Sequence, residues 1–311
     1  MNPVVSSRPQ HEVVRDIRNF LVSADALPSP QGTALRIVEM ARDPDSSLED
    51  IVSVVKTDPA LTGFVLRAAS AARFHAMRGT ANVQTAVQRL GLNAVRSHAL
   101  VLSLISQSAK LHCEGFNYHH FWVSSLHTGI LTEAFALAAH NQSADDTFSL
   151  GLLSSIGMLA FATAEPAEYA RLLSFARTSR SEIEPLEREV FGFDHHELSA
   201  VLLVDWQLPT STADIIYWQR DPEGGGFAAG STPYLLTCVL RLANSLSSHV
   251  LDPADGGDHL AMARLRAAIL ELEPALVQEV LSESLVALRE WTHLVSLPMP
   301  LIDSSRLNIL E

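Results

Sequence analysis

Apolar residues recur along this chain at helical intervals. Leu48, Ile51, Val52 and Val55 fall at i, i+3, i+4 and i+7, which puts them on one face of a helix. Ser46 precedes them with Glu49 three residues on, the spacing of a capping box. Thr57-Asp58-Pro59 then interrupts and restarts the chain, with Asp58 suited to an N-cap and Pro59 to a first helical position. Leu61, Phe64, Val65 and Ala68 repeat the spacing, so the two helices pack as a hairpin or corner.

A third helix is predicted from Val83, where Val83, Val87 and Leu90 form a stripe. Gly91 ends it, and Leu92–Ile105 resumes as a second piece. Further helices are expected over Phe121–Ala139, Asp145–Thr163 and Ala167–Ala176, then in two pieces between Glu187 and Trp206 that meet near Gly192. Ser211–Trp218 follows Pro209, Tyr234–His249 comes next, and Leu260–Leu272 with Ala275–Trp291 makes a final pair. Asp221–Gly230 and Leu251–Gly257 read as loops, and the segment after Ser296–Pro300 as an extended tail. No stretch alternates as a strand would, and no internal repeat is present. The fold class is all-α.

Composition narrows the function classes. Apolar residues make up 47% and charged residues 18% of 311, ample for a buried core. The formal net charge is -13, with no run of five Lys or Arg, so neither nucleic acid nor an anionic membrane is expected as a direct partner. Cys113 and Cys238 form no Cys-x-x-Cys pair, which fits a reducing compartment. The first 20 residues mix Arg8, Arg15 and Arg18 with Glu12 and Asp16 and lack the apolar core of a leader. The most apolar stretch, Gly151–Thr163, is short for a membrane span and contains Ser154 and Ser155. A cytoplasmic location is expected.

Several short motifs then occur in a telling order. They are Leu27-Pro28-Ser29-Pro30, Asp43-Pro44-Asp45-Ser46-Ser47, Thr57-Asp58-Pro59-Ala60-Leu61 and Ala86-Val87-Gln88-Arg89-Leu90-Gly91, followed by Phe121-Trp122, Gly151-Leu152-Leu153, Ile156-Gly157, Phe191-Gly192-Phe193-Asp194-His195 and Trp206-Gln207-Leu208-Pro209. In this order the chain resembles HDOD domains over Ala24–Asn244. The resemblance implies a two-lobed, multi-helix bundle related to HD-type metal phosphohydrolases, in a family that mostly serves signalling and regulation. It divides the chain into an N-terminal helix (1–23), an HDOD domain (24–250) and a C-terminal helical extension with a tail (251–311).

An HD-type hydrolase needs imidazoles and carboxylates around a cation that activates water and neutralises phosphate charge. Carried over by position, the resemblance puts Ser124 where a first His is expected, Ser154-Ser155 in place of a His-Asp pair, and Trp218-Gln219 in place of a His pair. Asn244 stands in place of a late Asp, and His195 alone remains. Hydroxyls are poor transition-metal ligands and indole is none. The reading is therefore a non-catalytic module with no metal and no cofactor. It would bind a protein partner or small ligand through a vestigial pocket of Ser124, His127, Ser154, Ser155, His195, Trp218 and Asn244.

Two alternatives stay open. One is a metal-dependent phosphohydrolase with a rearranged site of His127, His195, His196 and Glu197. The other is a structural adaptor whose helices Leu260–Trp291 pair with another copy or another protein. Gly224-Gly225-Gly226 lacks the Lys-Ser/Thr of a phosphate loop and reads as a turn. Asp145-Asp146 reads as helix capping, His119-His120 as a helix-start pair, and Trp206, Trp218 and Trp291 as packing groups or binding anchors.

Overall fold

Local capping signals set where the helices begin. The computed structural model describes residues 8–24, 27, 30–40, 46–71, 82–108, 110–139, 147–179, 182–252 and 258–309, and among these the structure is helical with no strand. Helix α1 spans Gln10–Ser23, α2 Gly32–Met40, α3 Leu48–Lys56, α4 Pro59–Ala71 and α5 Val83–Ser108. The capping box of α3 sits one residue later than the sequence suggested. Ser47 Oγ accepts from the Asp50 amide at 3.2 Å, and the Asp50 carboxylate accepts from the Ser47 amide at 2.9 Å. A shorter carboxylate three residues on from Ser47 completes the box that Ser46–Glu49 was expected to make. Asp58 caps α4 as anticipated, its Oδ1 accepting from the amides of Ala60 and Leu61 at 3.0 Å. Helix α5 is bent at Gly91, whose φ of 78° suits glycine. Helix α2 was not anticipated, because nine residues give its apolar stripe of Ala34, Ile37 and Val38 too little length to stand out.

The second half continues with α6 (Tyr118–Ala138), α7 (Thr147–Leu153), α8 (Ile156–Ala164), α9 (Pro166–Ser179), α10 (Ile183–Phe191), α11 (His195–Asp205) and α12 (Thr210–Tyr217). Helices α13 (Thr232–Leu251), α14 (Asp258–Ile269) and α15 (Pro274–Leu294) follow, and a 3-10 turn, Ser304–Leu307, lies in the tail expected to be extended. The single helix expected over Asp145–Thr163 is two. It breaks at Ser154-Ser155, where the Ser154 hydroxyl bonds the Gly151 carbonyl at 2.8 Å and Ser155 is the N-cap of α8. The 18 residues Thr147–Ala164 are apolar enough to cross a membrane by length and composition, but 78% of that window is buried inside the fold. Asp145-Asp146 and most of the Leu251–Gly257 loop lie outside the described residues.

Two cores result. A smaller one joins α2, α3, α4 and the first part of α5 through Ile37, Ile51, Val55, Leu61, Val65 and Val87. The larger one gathers Trp122, Phe135, Phe161, Leu240 and Trp291 from the rest of the chain. Helix α5 is the shared wall, giving Val95 and Ala99 to the first and Leu100, Val101 and Leu104 to the second. The segment expected as a C-terminal extension shares the larger core. Trp291 of α15 lies 4.5 Å from the ring of Phe64 on α4 and stacks at 5.0 Å on Phe148 of α7. Helix α14, by contrast, leaves Met262, Leu265 and Ile269 exposed.

Candidate functional site

Two glycines set how closely the central helices approach. A Cβ on Gly151 would meet Thr132 Oγ1 at 2.5 Å and the Thr128 carbonyl at 2.6 Å, so α7 lies directly on α6. A Cβ on Gly157 would meet the His195 carbonyl at 2.1 Å, so α8 lies directly on the start of α11. The Gly157 amide donates to Ser199 Oγ at 2.8 Å, and Ser199 Oγ donates to the His195 carbonyl at 2.6 Å. Gly192, the left-handed cap of α10 at φ 84°, lets the chain reverse into α11. Trp122 is buried and donates its indole N–H to Ser108 Oγ at 2.9 Å. Trp206 is buried at the C-cap of α11, and Pro209 is the N-cap of α12.

The reversal at Gly192 assembles a buried polar cluster between α10 and α11. Asp194 caps α11, its Oδ1 accepting from the amides of His196 and Glu197 at 2.9 Å, while Glu197 accepts from the Asp194 amide at 2.8 Å. Arg188 closes this box by pairing with Asp194 and reaching Glu197 at 3.5 Å. Burial, then the charge of Asp194, push the Glu197 carboxyl up to about 7. Behind it, the fully buried Glu187 carboxylate accepts from Tyr169 Oη at 2.9 Å, from the His195 amide at 2.9 Å and from His195 Nδ1 at 2.6 Å. Burial alone would lower the His195 pKa, but the carboxylates of Glu187, Glu184 and Asp194 outweigh it and raise the ring to about 9. His195 is thus a helix-start residue held as a cation by its carboxylate neighbour.

Glu184 and His196 complete the cluster. His196 Nδ1 lies 3.4 Å from the Ser154 carbonyl, and its Nε2 lies 3.7 Å from Glu184 Oε1. Arg220 bonds Glu184 through one arm and Glu182 at 2.7 Å through the other. One ligand atom from each of Glu184, His195 and His196 falls within 4.8 Å of the others. Sequence reasoning missed Glu184 and treated Glu187 only as a helix start. The available signal was their i, i+3 spacing on one face of α10, folded back onto His195-His196 by Gly192.

The sequence-derived pocket residues have the following partners. Ser124 on α6 faces Ser247 on α13, their hydroxyls 3.4 Å apart. Asn244 Nδ2 donates to Gln219 Oε1 at 3.3 Å. Trp218 is half-buried against Tyr217 and packs on Gly225, where a Cβ would strike the indole at 2.5 Å. Ser154 reaches the cluster only through its backbone carbonyl, which meets His196. His127 turns away: it is fully buried with Nε2 3.0 Å from Ser284 Oγ on α15, and burial lowers its pKa to about 3. Of the rearranged set His127, His195, His196 and Glu197, only His195 and His196 come together, since Glu197 serves the cap of α11. His119 contacts the Pro298 carbonyl at 2.6 Å from the first turn of α6.

The carried-over positions offer a metal of the hydrolase kind only hydroxyl and amide groups, which are poor ligands and bond Ser247, the Gly151 carbonyl and Gln219. The Glu184-His195-His196 trio has suitable atom types. Glu184 is also paired with Arg220, and Glu187 holds Nδ1 of His195, so a cation there would compete with the Arg220 guanidinium and with the proton on His195.

The HDOD domain family matches residues 27–222. An uncharacterized protein of Treponema pallidum (strain Nichols) is 25% identical over 198 residues, 63% of this chain and 38% of that protein, so the chain spans under half of that relative's length. A crystal structure of an HDOD domain protein of unknown function from Geobacter sulfurreducens is 19% identical, with a TM-score of 0.64, covering 92% of this chain and 99% of that one. The MmoQ response regulator from Methylococcus capsulatus str. Bath is 32% identical over 83% of this chain and 98% of its own, with a TM-score of 0.47.

Proposed function

The chain belongs to the HDOD family, and from that premise we propose that it is a non-catalytic regulatory module. It recognises a small ligand or protein partner and does not hydrolyse a phosphoester. One observation carries the reading. At Ser124, Ser154 and Asn244, where a hydrolase of this ancestry would place metal ligands, neutral hydroxyl and amide groups bond Ser247, the Gly151 carbonyl and Gln219. Such groups read a ligand by hydrogen bonds and shape, not by cation charge. The test is turnover of bis-p-nitrophenyl phosphate by the full chain supplied with Mn, Fe or Zn. No turnover above buffer is expected, and metal-dependent turnover lost in His195→Ala overturns the proposal.

A second reading, a rearranged metal-dependent hydrolase, is favoured by the proximity of Glu184, His195 and His196. It requires a cation to displace the proton of His195 and to share Glu184 with Arg220, so it predicts metal-dependent turnover that is lost in Glu184→Gln as well as in His195→Ala.

A further inference from the structure

The chain is strongly acidic overall, yet three guanidinium groups gather where the end of α12 meets α13 and α14. Arg266 of α14 donates Nη1 to the Arg241 carbonyl at 2.7 Å and bonds the Ser245 hydroxyl. Arg241 and Ser245 are one turn apart on α13. Asn244, between them, bonds Gln219 at 3.3 Å, which holds the neighbouring Arg220 against the same helix. The two carboxylates in reach, Glu182 and Glu184, both bond Arg220. Among the described residues, no carboxylate pairs with Arg241 or Arg266, and the buried Nε of Arg266 has no hydrogen-bond partner.

A half-buried guanidinium without a counter-ion is unfavourable, and placing it beside two others compounds the problem. Burial, followed for Arg266 by repulsion from Arg241 and Arg220, lowers the pKa of both unpaired arginines, Arg266 to about 10. The planar fork of an arginine matches a tetrahedral oxyanion with two parallel N–H donors. A hydroxyl such as that of Ser245 supplies one more donor.

We propose that Arg220, Arg241, Arg266 and Ser245 form a binding site for a phosphate group carried by a small molecule. A dianion here would neutralise the two unpaired arginines at once. A nucleic acid fits less well, because the net charge of -13 repels an extended polyanion while leaving one small group tolerable. The inference stands on different residues from the vacated ligand positions, so metal content decides that reading and phosphate binding decides this one.

The experiment is isothermal titration of the full chain with orthophosphate at low ionic strength, with sodium chloride of matched ionic strength as control. Saturable binding near one equivalent is expected. Arg241→Gln weakens it at least tenfold, and Arg241→Lys, which keeps the charge but not the fork, falls between. Among the described residues the Arg241 side chain makes no hydrogen bond or ion pair, so ligand-free Arg241→Gln should melt no lower than the parent, which separates lost binding from lost fold. Absence of saturable binding, or unchanged affinity in Arg241→Gln, overturns the proposal.

Discussion

Replacing Glu187 by Gln perturbs the centre of the α10–α11 cluster. The carboxylate is fully buried and holds three donors, Tyr169 Oη, the His195 amide and His195 Nδ1. Gln keeps the shape and one acceptor oxygen but removes the charge that keeps His195 protonated. The His195 pKa stands at about 9 against a reference of 6.5. That difference of about 2.5 units corresponds to about 3 kcal/mol at 1.36 kcal/mol per unit. Because the folded pKa is raised, this stability is fully present below pH 6.5 and disappears as pH climbs through 9. Urea unfolding of parent and variant at pH 6 and pH 10 measures it. The variant should be less stable by about 3 kcal/mol at pH 6, in line with broken buried pairs generally, and the gap should shrink clearly by pH 10. A gap under about 1 kcal/mol at pH 6, or one independent of pH, would refute the ion-pair reasoning.

Other consequences are equally measurable. Gly157→Ala drives a methyl group into the His195 carbonyl and should lose about 3 kcal/mol or more in urea unfolding. Gly226→Ala, at φ 75° with open space around it, should lose only about 1 kcal/mol. His98 is buried among Phe64 and Phe148 with neither ring nitrogen bonded, so His98→Leu should stabilise the fold by about 1–2 kcal/mol in the same assay. Burial lowers His98 and His127 to about 3, so both fold neutral, and their contribution is present above pH 6.5 and lost as pH falls toward 3. By pH 4.5 each should have removed about 2–3 kcal/mol, seen as an early acid transition by circular dichroism that moves to lower pH in His98→Leu.

Helix existence was largely legible from period and capping, as at Asp58, Pro59 and Gly91, because those signals act within one turn. The break at Ser154-Ser155 was not, since apolar residues continue on both sides and only hydroxyl-to-carbonyl bonding interrupts them. The short helix α2 escaped for lack of length. At the site, the sequence supplied the His195-His196 pair at the start of α11. It did not reveal that Glu184 and Glu187 lie against His195-His196, because that contact depends on the left-handed turn at Gly192 and the close seat of α8 at Gly157. The spacing of His127 from Ser124 did not reveal its contact with Ser284, which depends on the packing of α15.

Metal stoichiometry tests the central claim most directly. The 311-residue chain, purified without chelator and then incubated with Mn, Fe or Zn and desalted, should carry well under one equivalent at neutral pH, and Glu184→Gln should leave that value unchanged. One or more equivalents of tightly held metal, lost in Glu184→Gln and His195→Ala, would contradict the account.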